Sequence, residues 1–118
     1  MMNDHGKDTI ILVTDSGMGH ADPALQHDLF KKYLSLLNEF DLLPAIICFY
    51  TDGVKMLIEG SPVLEALRSL EEKGVHLIAC GTCLDFLGVR DRLEVGIIGG
   101  MTDIIEAQWQ ARKVITLS

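Results

Sequence analysis

The chain has 118 residues, of which 48% are hydrophobic and 23% charged, and it carries a net charge of -7 at pH 7. A chain of this length folds as one domain, which we place over residues 1–118. The negative charge argues against a nucleic-acid partner, because DNA and RNA phosphates require a basic face. No apolar run approaches the roughly 20 residues that span a membrane, and the polar start lacks the apolar core of a secretion signal. We therefore predict a cytoplasmic protein without nucleic-acid or membrane partners and with a flexible N-terminus over residues 1–8.

Strand patterns alternate with helix patterns along the chain. Residues 9–14 are a β-branched apolar run, typical of a strand buried on both faces. Asp22 is a suitable cap for a helix that begins at Pro23 and reaches about Asn38. The buried stripe of this helix is predicted from apolar residues at helical spacing: Leu25, Leu29, Phe30, Tyr33, Leu34 and Leu37.

The remaining elements continue this alternation. Further strands are predicted over 45–50, 75–79 and 114–117, with a weak, glycine-rich one over 95–100. Helices or helical turns are predicted over 54–58, 62–73, 84–86 and 104–112, with Leu84 and Phe86 on the apolar side of theirs and Thr102 or Asp103 capping the last. The alternation predicts an α/β layered fold with a mainly parallel sheet of about five strands.

Two cysteines follow the third strand at Cys-x-x-Cys spacing. Cys80 ends the apolar run, at the carboxyl end of the strand, where parallel sheets open their ligand crevices and where a helix amino end stabilises a thiolate. The ordinary alternative is that Cys80 is a small buried hydrophobic residue. Cys83 either resolves a persulfide or disulfide at Cys80 or packs inward beside Leu84. The sequence therefore predicts an exposed, reactive Cys80 with Cys83 as its candidate partner.

Other sulfur and metal chemistry is less well supported. Cys48 lies in the middle of a strand and is predicted to be inert core. Zinc requires four ligands, and one Cys-x-x-Cys pair supplies two, so a zinc site would need His20 and His76 as well. We predict neither a metal nor a cofactor.

Three loops are predicted to meet at the sheet edge that holds Cys80. The first, residues 15–22, resembles a glycine-rich phosphate cradle, but it lacks the third glycine of the dinucleotide fingerprint and the lysine of a Walker motif. A flexible turn is the simpler interpretation of this loop. The residues predicted to line a pocket around the cysteines are Gly17, Gly19, His20, Asp22, Asp52, Gly53, Gly81 and Thr82.

Four parts of the sequence together resemble the DsrE/DsrF-like family of sulfur-relay proteins. They are residues 10–15 with Gly19 and Asp22, residues 52–55, residues 59–86 with the Cys80-Gly81-Thr82-Cys83 turn, and residues 113–117. Within this family they are more similar to the DsrE-type domain of the YedF type, which is sulfurtransferase-like and linked to selenium metabolism. The resemblance implies a three-layer α/β/α fold and assembly into homo-oligomers (trimer, hexamer or dimer). It also implies a persulfide on Cys80, whereas Cys83 matches the YedF-like subset alone.

Taken together, these features predict a sulfur carrier or sulfurtransferase-like protein. It would accept sulfane sulfur from a donor protein as a persulfide on Cys80 and pass it to the thiol of an acceptor protein. Two alternatives stay open: a non-catalytic oligomeric domain that binds a small molecule, and a thiol-redox sensor that uses Cys80 and Cys83.

Overall fold

The computed structural model describes residues 8–118, and its centre is a five-stranded sheet. The strands are β1 (Thr9–Val13), β2 (Ile46–Phe49), β3 (His76–Cys80), β4 (Ile97–Gly99) and β5 (Lys113–Leu117). Their order is β4-β3-β2-β1-β5, and every neighbouring pair is parallel. The predicted parallel sheet is confirmed, with the weak strand β4 at one edge.

Four α-helices connect these strands: α1 (Pro23–Glu39), α2 (Leu64–Glu72), α3 (Gly81–Leu87) and α4 (Met101–Gln110), with short 3-10 helices at Thr51–Leu57 and Arg90–Arg92. From β1 to β4 the chain advances across the sheet in one direction, so right-handed crossovers put α1, α2 and α3 on one face. The connection from β4 to β5 runs back past three strands, which puts α4 on the other face. The three-layer α/β/α architecture is confirmed.

The start of α1 is as predicted, but its buried stripe is narrower. The Asp22 carboxylate accepts a hydrogen bond from the Ala24 N–H at 2.9 Å, and Pro23 is the first helical residue. Phe30, Leu34 and Leu37 face the core, whereas Leu25 and Leu29 are 48% and 41% exposed. The prediction was wrong for these two leucines, which lie on the outer side of the helix.

Two other helices begin at residues that differ from the prediction. Helix α2 starts at Leu64 instead of Pro62, because the Ser61 hydroxyl accepts a hydrogen bond from the Val63 N–H at 3.3 Å and holds residues 62–63 in a local turn. Helix α4 starts at Met101 instead of Ile104, because the Asp103 carboxylate reaches back to the Gly100 N–H at 2.8 Å. Asp103 thus stabilises the first turn from inside the helix.

From Asp8 onward the chain is fixed to the start of β5, the strand at the edge of the sheet opposite β4. The Asp8 carbonyl accepts hydrogen bonds from the Arg112 and Lys113 N–H groups at 2.9 and 3.1 Å. The flexibility predicted for residues 1–7 lies outside the described residues. Between Asp8 and Ser118, none of the helices combines the length and the apolar character needed to cross a membrane.

Candidate functional site

The candidate site is the junction between β3 and α3. Cys80 is the last residue of β3 and Gly81 the first of α3. Cys80 lies in register with Gly99 of β4, and α4 covers this pair: Asp103 Oδ2 is 3.0 Å from where a Cβ on Gly99 would be. Cys80 is consequently 3% exposed. The expectation of an exposed Cys80 was wrong for the single chain, because α4 and β4 enclose the end of β3.

Cys83 is the more accessible of the two thiols. It is half-buried and faces a cavity of about 330 Å³. Six residues from two segments line this cavity: Thr51, Asp52, Thr82, Cys83, Phe86 and Leu87. A molecule that approaches this edge of the sheet therefore meets the Cys83 sulfur first.

Thr51 holds the Cys83 sulfur from the other side of the cavity. Its backbone N–H donates a hydrogen bond to Cys83 Sγ at 3.1 Å. Its own hydroxyl lies 2.5 Å from the Thr14 carbonyl oxygen and 2.6 Å from that of Tyr50, which ties the end of β2 to the end of β1. The carboxyl ends of β1, β2 and β3 thus meet at one sheet edge, as the sequence predicts.

The two thiols of the site interact electrostatically. Burial raises the pKa of the Cys83 thiol, and so do a side-chain hydrogen bond with Cys80 and the negative charge of an ionised Cys80 sulfur. The Thr51 N–H acts in the opposite direction and lowers the Cys83 pKa. The net direction is upward, so the Thr51 N–H only partly offsets the effects of burial and of Cys80.

Cys48 is separate from this pair. It lies within β2 and is fully buried, and burial, followed by the charge of Asp103, raises its pKa to about 11. A thiol in this state does not act as a nucleophile near neutral pH. Its position agrees with the prediction of an inert core cysteine.

Four of the predicted pocket residues lie at the site. Asp52 and Thr82 line the cavity, and Asp52 forms an ion pair with Lys55 at 3.1 Å. Gly53 packs so closely on β1 that a Cβ there would lie 2.1 Å from the Val13 carbonyl oxygen. A Cβ on Gly81 would lie 2.9 Å from the Arg90 guanidinium. These two glycines therefore allow the close packing on which the cavity walls depend.

The glycine-rich loop does not reach the cavity wall. Gly17 packs against the Gln26 backbone, and the Gln26 side-chain amide donates to the Gly19 carbonyl. His20 is exposed and lies 3.2 Å from the Asp15 carboxylate, and Asp22 caps α1. These contacts favour the simpler interpretation of the loop as a turn from strand to helix.

The charged side chains after α3 stabilise its outer surface. Arg90 forms a two-point ion pair with Asp85, at 2.6 and 3.0 Å, and lies 3.5 Å from the Gly81 carbonyl oxygen. The hydrogen bond from Arg90 lowers the pKa of Asp85. Arg92 turns away and contacts the carbonyl of Glu59 at 3.3 Å.

The histidines that a zinc site would require lie apart from the cysteines. His76 begins β3, at the opposite end of the strand from Cys80, and His20 is held by Asp15. Within residues 8–118, no group of three or more His, Cys, Asp or Glu side chains is placed to bind a metal ion.

Three residues at the cavity were not among the predicted ones: Thr51, Phe86 and Leu87. Phe86 is 89% exposed, contrary to the prediction that it faces the core beside Leu84. Residues two apart on a helix point in nearly opposite directions, so the burial of Leu84 turns Phe86 outward. This spacing was the available signal for Phe86, and the position of Thr51 directly after β2 was the signal for Thr51.

Two solved structures share this fold. The ychN protein from E. coli superposes with a TM-score of 0.71 at 19% identity, over 94% of this chain and 99% of that one. MTH1491 from Methanobacterium thermoautotrophicum, a protein of unknown function, gives a TM-score of 0.68 at 21% identity, over 93% and 98% of the two chains. At such identities the likeness extends to the fold alone. No curated protein matches the sequence, and the YedF-type affinity stays a prediction.

The family comparison covers almost the whole sequence. The DsrE/DsrF-like family model matches residues 7–117, which include every strand and helix described above and both cysteines of the site. The chain belongs to the DsrE/DsrF-like family.

Proposed function

We propose that this protein is a sulfur carrier with sulfurtransferase-like activity. It holds sulfane sulfur as a persulfide at the Cys80–Cys83 pair and passes it from a donor protein to the thiol of an acceptor protein. The observation that carries the proposal is the placement of two cysteines at the junction of β3 and α3, where Cys83 lines an open cavity. Membership of a family associated with sulfur relay supports the same function.

In the proposed loading step, the Cys83 sulfur attacks the outer sulfur of the donor persulfide. A new S–S bond forms on Cys83, the S–S bond of the donor breaks, and the donor leaves as a thiolate. Cys83 reacts as the thiolate, so its negative charge passes to the departing donor thiolate. The half-exposed position of Cys83 and the burial of Cys80 support this order.

Retention and release use the same exchange. The Cys80 sulfur attacks the outer sulfur of the Cys83 persulfide, the S–S bond to Cys83 breaks, and the Cys80 thiol proton passes to Cys83, so the persulfide moves to Cys80. The reverse exchange brings the sulfur back to Cys83, where the acceptor thiolate attacks it and leaves with a persulfide of its own. The chain ends in its starting state, with no net oxidation.

The test is incubation with a small-molecule persulfide, followed by peptide mass spectrometry. We expect the native chain to gain the mass of one sulfur atom on Cys80 or Cys83. Cys80→Ser is expected to load on Cys83 alone, and the double variant is expected not to load. Cys83→Ser is expected to load at least tenfold more slowly, a factor that corresponds in free energy to about one lost charge-assisted hydrogen bond. Cys48→Ser is the matched control and is expected to load like the native chain.

The outcomes separate the function from the order of its steps. A native chain that gains sulfur on neither Cys80 nor Cys83 contradicts the carrier function. A Cys83→Ser variant that loads Cys80 at the native rate contradicts the proposed loading order and leaves the carrier function standing, with Cys80 as the direct acceptor.

A redox pair is the second candidate, favoured by the position of both cysteines at one strand–helix junction. In this case a disulfide donor such as oxidised glutathione would be attacked by one cysteine, and the second cysteine would displace the glutathione thiolate to form a Cys80–Cys83 disulfide. A loss of two hydrogen masses from the peptide that contains both cysteines, at mild potential and without bound sulfur, would support this function over the carrier.

A further inference from the structure

Thr51 adopts a backbone conformation that is rare for its residue type. Its φ is 49°, in the left-handed region, and among residues 8–118 Asp41 is the one other non-glycine residue with a positive φ. Aspartate tolerates this region, whereas a β-branched side chain there is a genuine outlier. Strained residues of this kind persist only where the surrounding structure holds them, and they cluster at functional sites.

The side chain of Thr51 stabilises this left-handed backbone conformation. Its hydroxyl lies within hydrogen-bond distance of the Thr14 and Tyr50 carbonyl oxygens. Gly53, two residues later, is pressed against the Val13 carbonyl, which keeps the start of the 3-10 helix close to the end of β1. The hydroxyl and this close packing together prevent Thr51 from relaxing into an extended conformation.

The consequence of this conformation is the direction of the Thr51 N–H. It points across the cavity to Cys83 Sγ, 3.1 Å away, from the segment that follows a different strand. An N–H donor favours a sulfur that carries negative charge over a neutral one. The Cys83 sulfur carries such charge each time it attacks a donor or is released from a persulfide.

We propose that Thr51 is a positioning residue for the Cys83 sulfur: its hydroxyl holds the left-handed backbone, and that backbone aims the N–H at the thiolate. This inference rests on the proposed function for its biological use, because it assigns Thr51 to the loading and release steps. The geometry itself applies to any reaction of the Cys83 thiolate, so it can be tested without a persulfide.

The test compares variants that separate the hydroxyl from the backbone conformation. Thr51→Ala removes the oxygen and keeps a Cβ that disfavours the left-handed region. Thr51→Ser keeps the oxygen, and Thr51→Gly removes it but takes the conformation without strain. The measurement is the rate of iodoacetamide labelling at Cys83 in the full chain across neutral to alkaline pH, with the label located by peptide mass spectrometry.

We expect Thr51→Ala to label about three- to tenfold more slowly than the native chain at neutral pH, and no more slowly at the alkaline plateau. The reason is that the loss of the N–H contact reduces the thiolate fraction and leaves a thiolate that is at least as nucleophilic. Thr51→Ser and Thr51→Gly are expected to stay within about twofold of the native rate throughout. A stability defect alone would not move the pH profile in this way.

A Thr51→Ala profile that coincides with the native one overturns the inference, and so does a Thr51→Ser profile displaced as far as that of Thr51→Ala. If Thr51→Ala does not fold, as judged by circular dichroism, Ser and Gly decide the matter: both must match the native profile. These outcomes are independent of sulfur loading. A failed persulfide test with displaced Thr51→Ala labelling contradicts the carrier function and leaves the role of Thr51 intact.

Discussion

The three sulfur atoms of the chain occupy three environments that differ in burial and in neighbouring charge. Cys83 faces a cavity, Cys80 lies behind it, and Cys48 is enclosed within the sheet and faces the charge of Asp103. The same side chain is therefore accessible at one position and protected at another.

Cys48 gives the protein a pH-dependent stability on the alkaline side. Its folded pKa is raised from about 9 to about 11, so above pH 9 the unfolded chain loses a proton that the folded chain keeps. The free energy of unfolding should fall between pH 9 and pH 11, by up to about 1.4 kcal/mol per pH unit from this group. Below pH 9 the folded and the unfolded chain both keep the Cys48 proton, so the stability of the neutral thiol is fully present there.

Urea denaturation of the native chain and of Cys48→Ala across this range measures the effect. We expect a shallower pH slope for Cys48→Ala, although its stability at neutral pH is lower because a buried side chain is truncated. Parallel slopes for the two proteins would assign the alkaline instability to other groups, such as Tyr33, whose pKa burial also raises.

At the scale of the elements, α1 depends on its first residues. Asp22 satisfies the Ala24 N–H, one of the donors that have no partner within the helix. Asp22→Ala should lower the free energy of unfolding by about 1 kcal/mol. Asp28→Ala is the matched control, because Asp28 makes one exposed pair with Lys32 at 3.8 Å, worth at most about 0.5 kcal/mol. Equal losses in chemical denaturation would contradict a capping role for Asp22.

The type and order of the elements could be predicted from the sequence because periodicity and capping are local signals. Asp22-Pro23 marked the start of α1, and Gly74, at a φ of 99°, marked the end of α2. The start of α2 was less predictable, because Ser61 forms a local turn that competes with helix. Phe86 was misplaced because it was assigned to the same side of α3 as Leu84, although residues two apart on a helix point in nearly opposite directions.

The site was predictable in part. The position of the cysteine pair at a strand end followed from the apolar run and the turn. The exposures of Cys80 and Cys83 did not, because they depend on α4 and on the residues after β2, which are distant in sequence. Thr51 carried no signal of its left-handed conformation, since one of the two carbonyls that hold it belongs to Thr14, at the end of a different strand.

At the scale of the whole molecule, one face is more apolar than a free surface requires. Met101, Ile105 and Trp109 lie four residues apart on α4 and are 55%, 46% and 86% exposed. Ile97 on the edge strand β4 is 61% exposed and extends this apolar surface, whereas Ile98 points to the other face of the sheet, beside the start of α3. Exposed apolar surface next to an unpaired strand edge is typical of contacts between protein chains. We propose that homo-oligomers form through this face.

Trp109 is the one tryptophan of the chain, and its fluorescence tests the proposal. We expect its emission to shift to shorter wavelength as the protein concentration rises, and sedimentation to show assemblies larger than one chain. Ile105→Glu should abolish both effects, whereas Gln110→Glu, which adds the same charge elsewhere on α4, should not. A native protein that sediments as a single chain at every concentration would contradict the proposal.

The strand β3 passes directly into α3, and this has a consequence for the proposed transfer of sulfur between proteins. Hydrogen bonds to the neighbouring strands fix one sulfur, and the helix fixes the other. In the proposed carrier, the sulfur is therefore held at a fixed position on the domain and does not move on a flexible arm. The proposed donor and acceptor proteins therefore have to bring their reactive sulfur into the cavity, past the exposed side chain of Phe86.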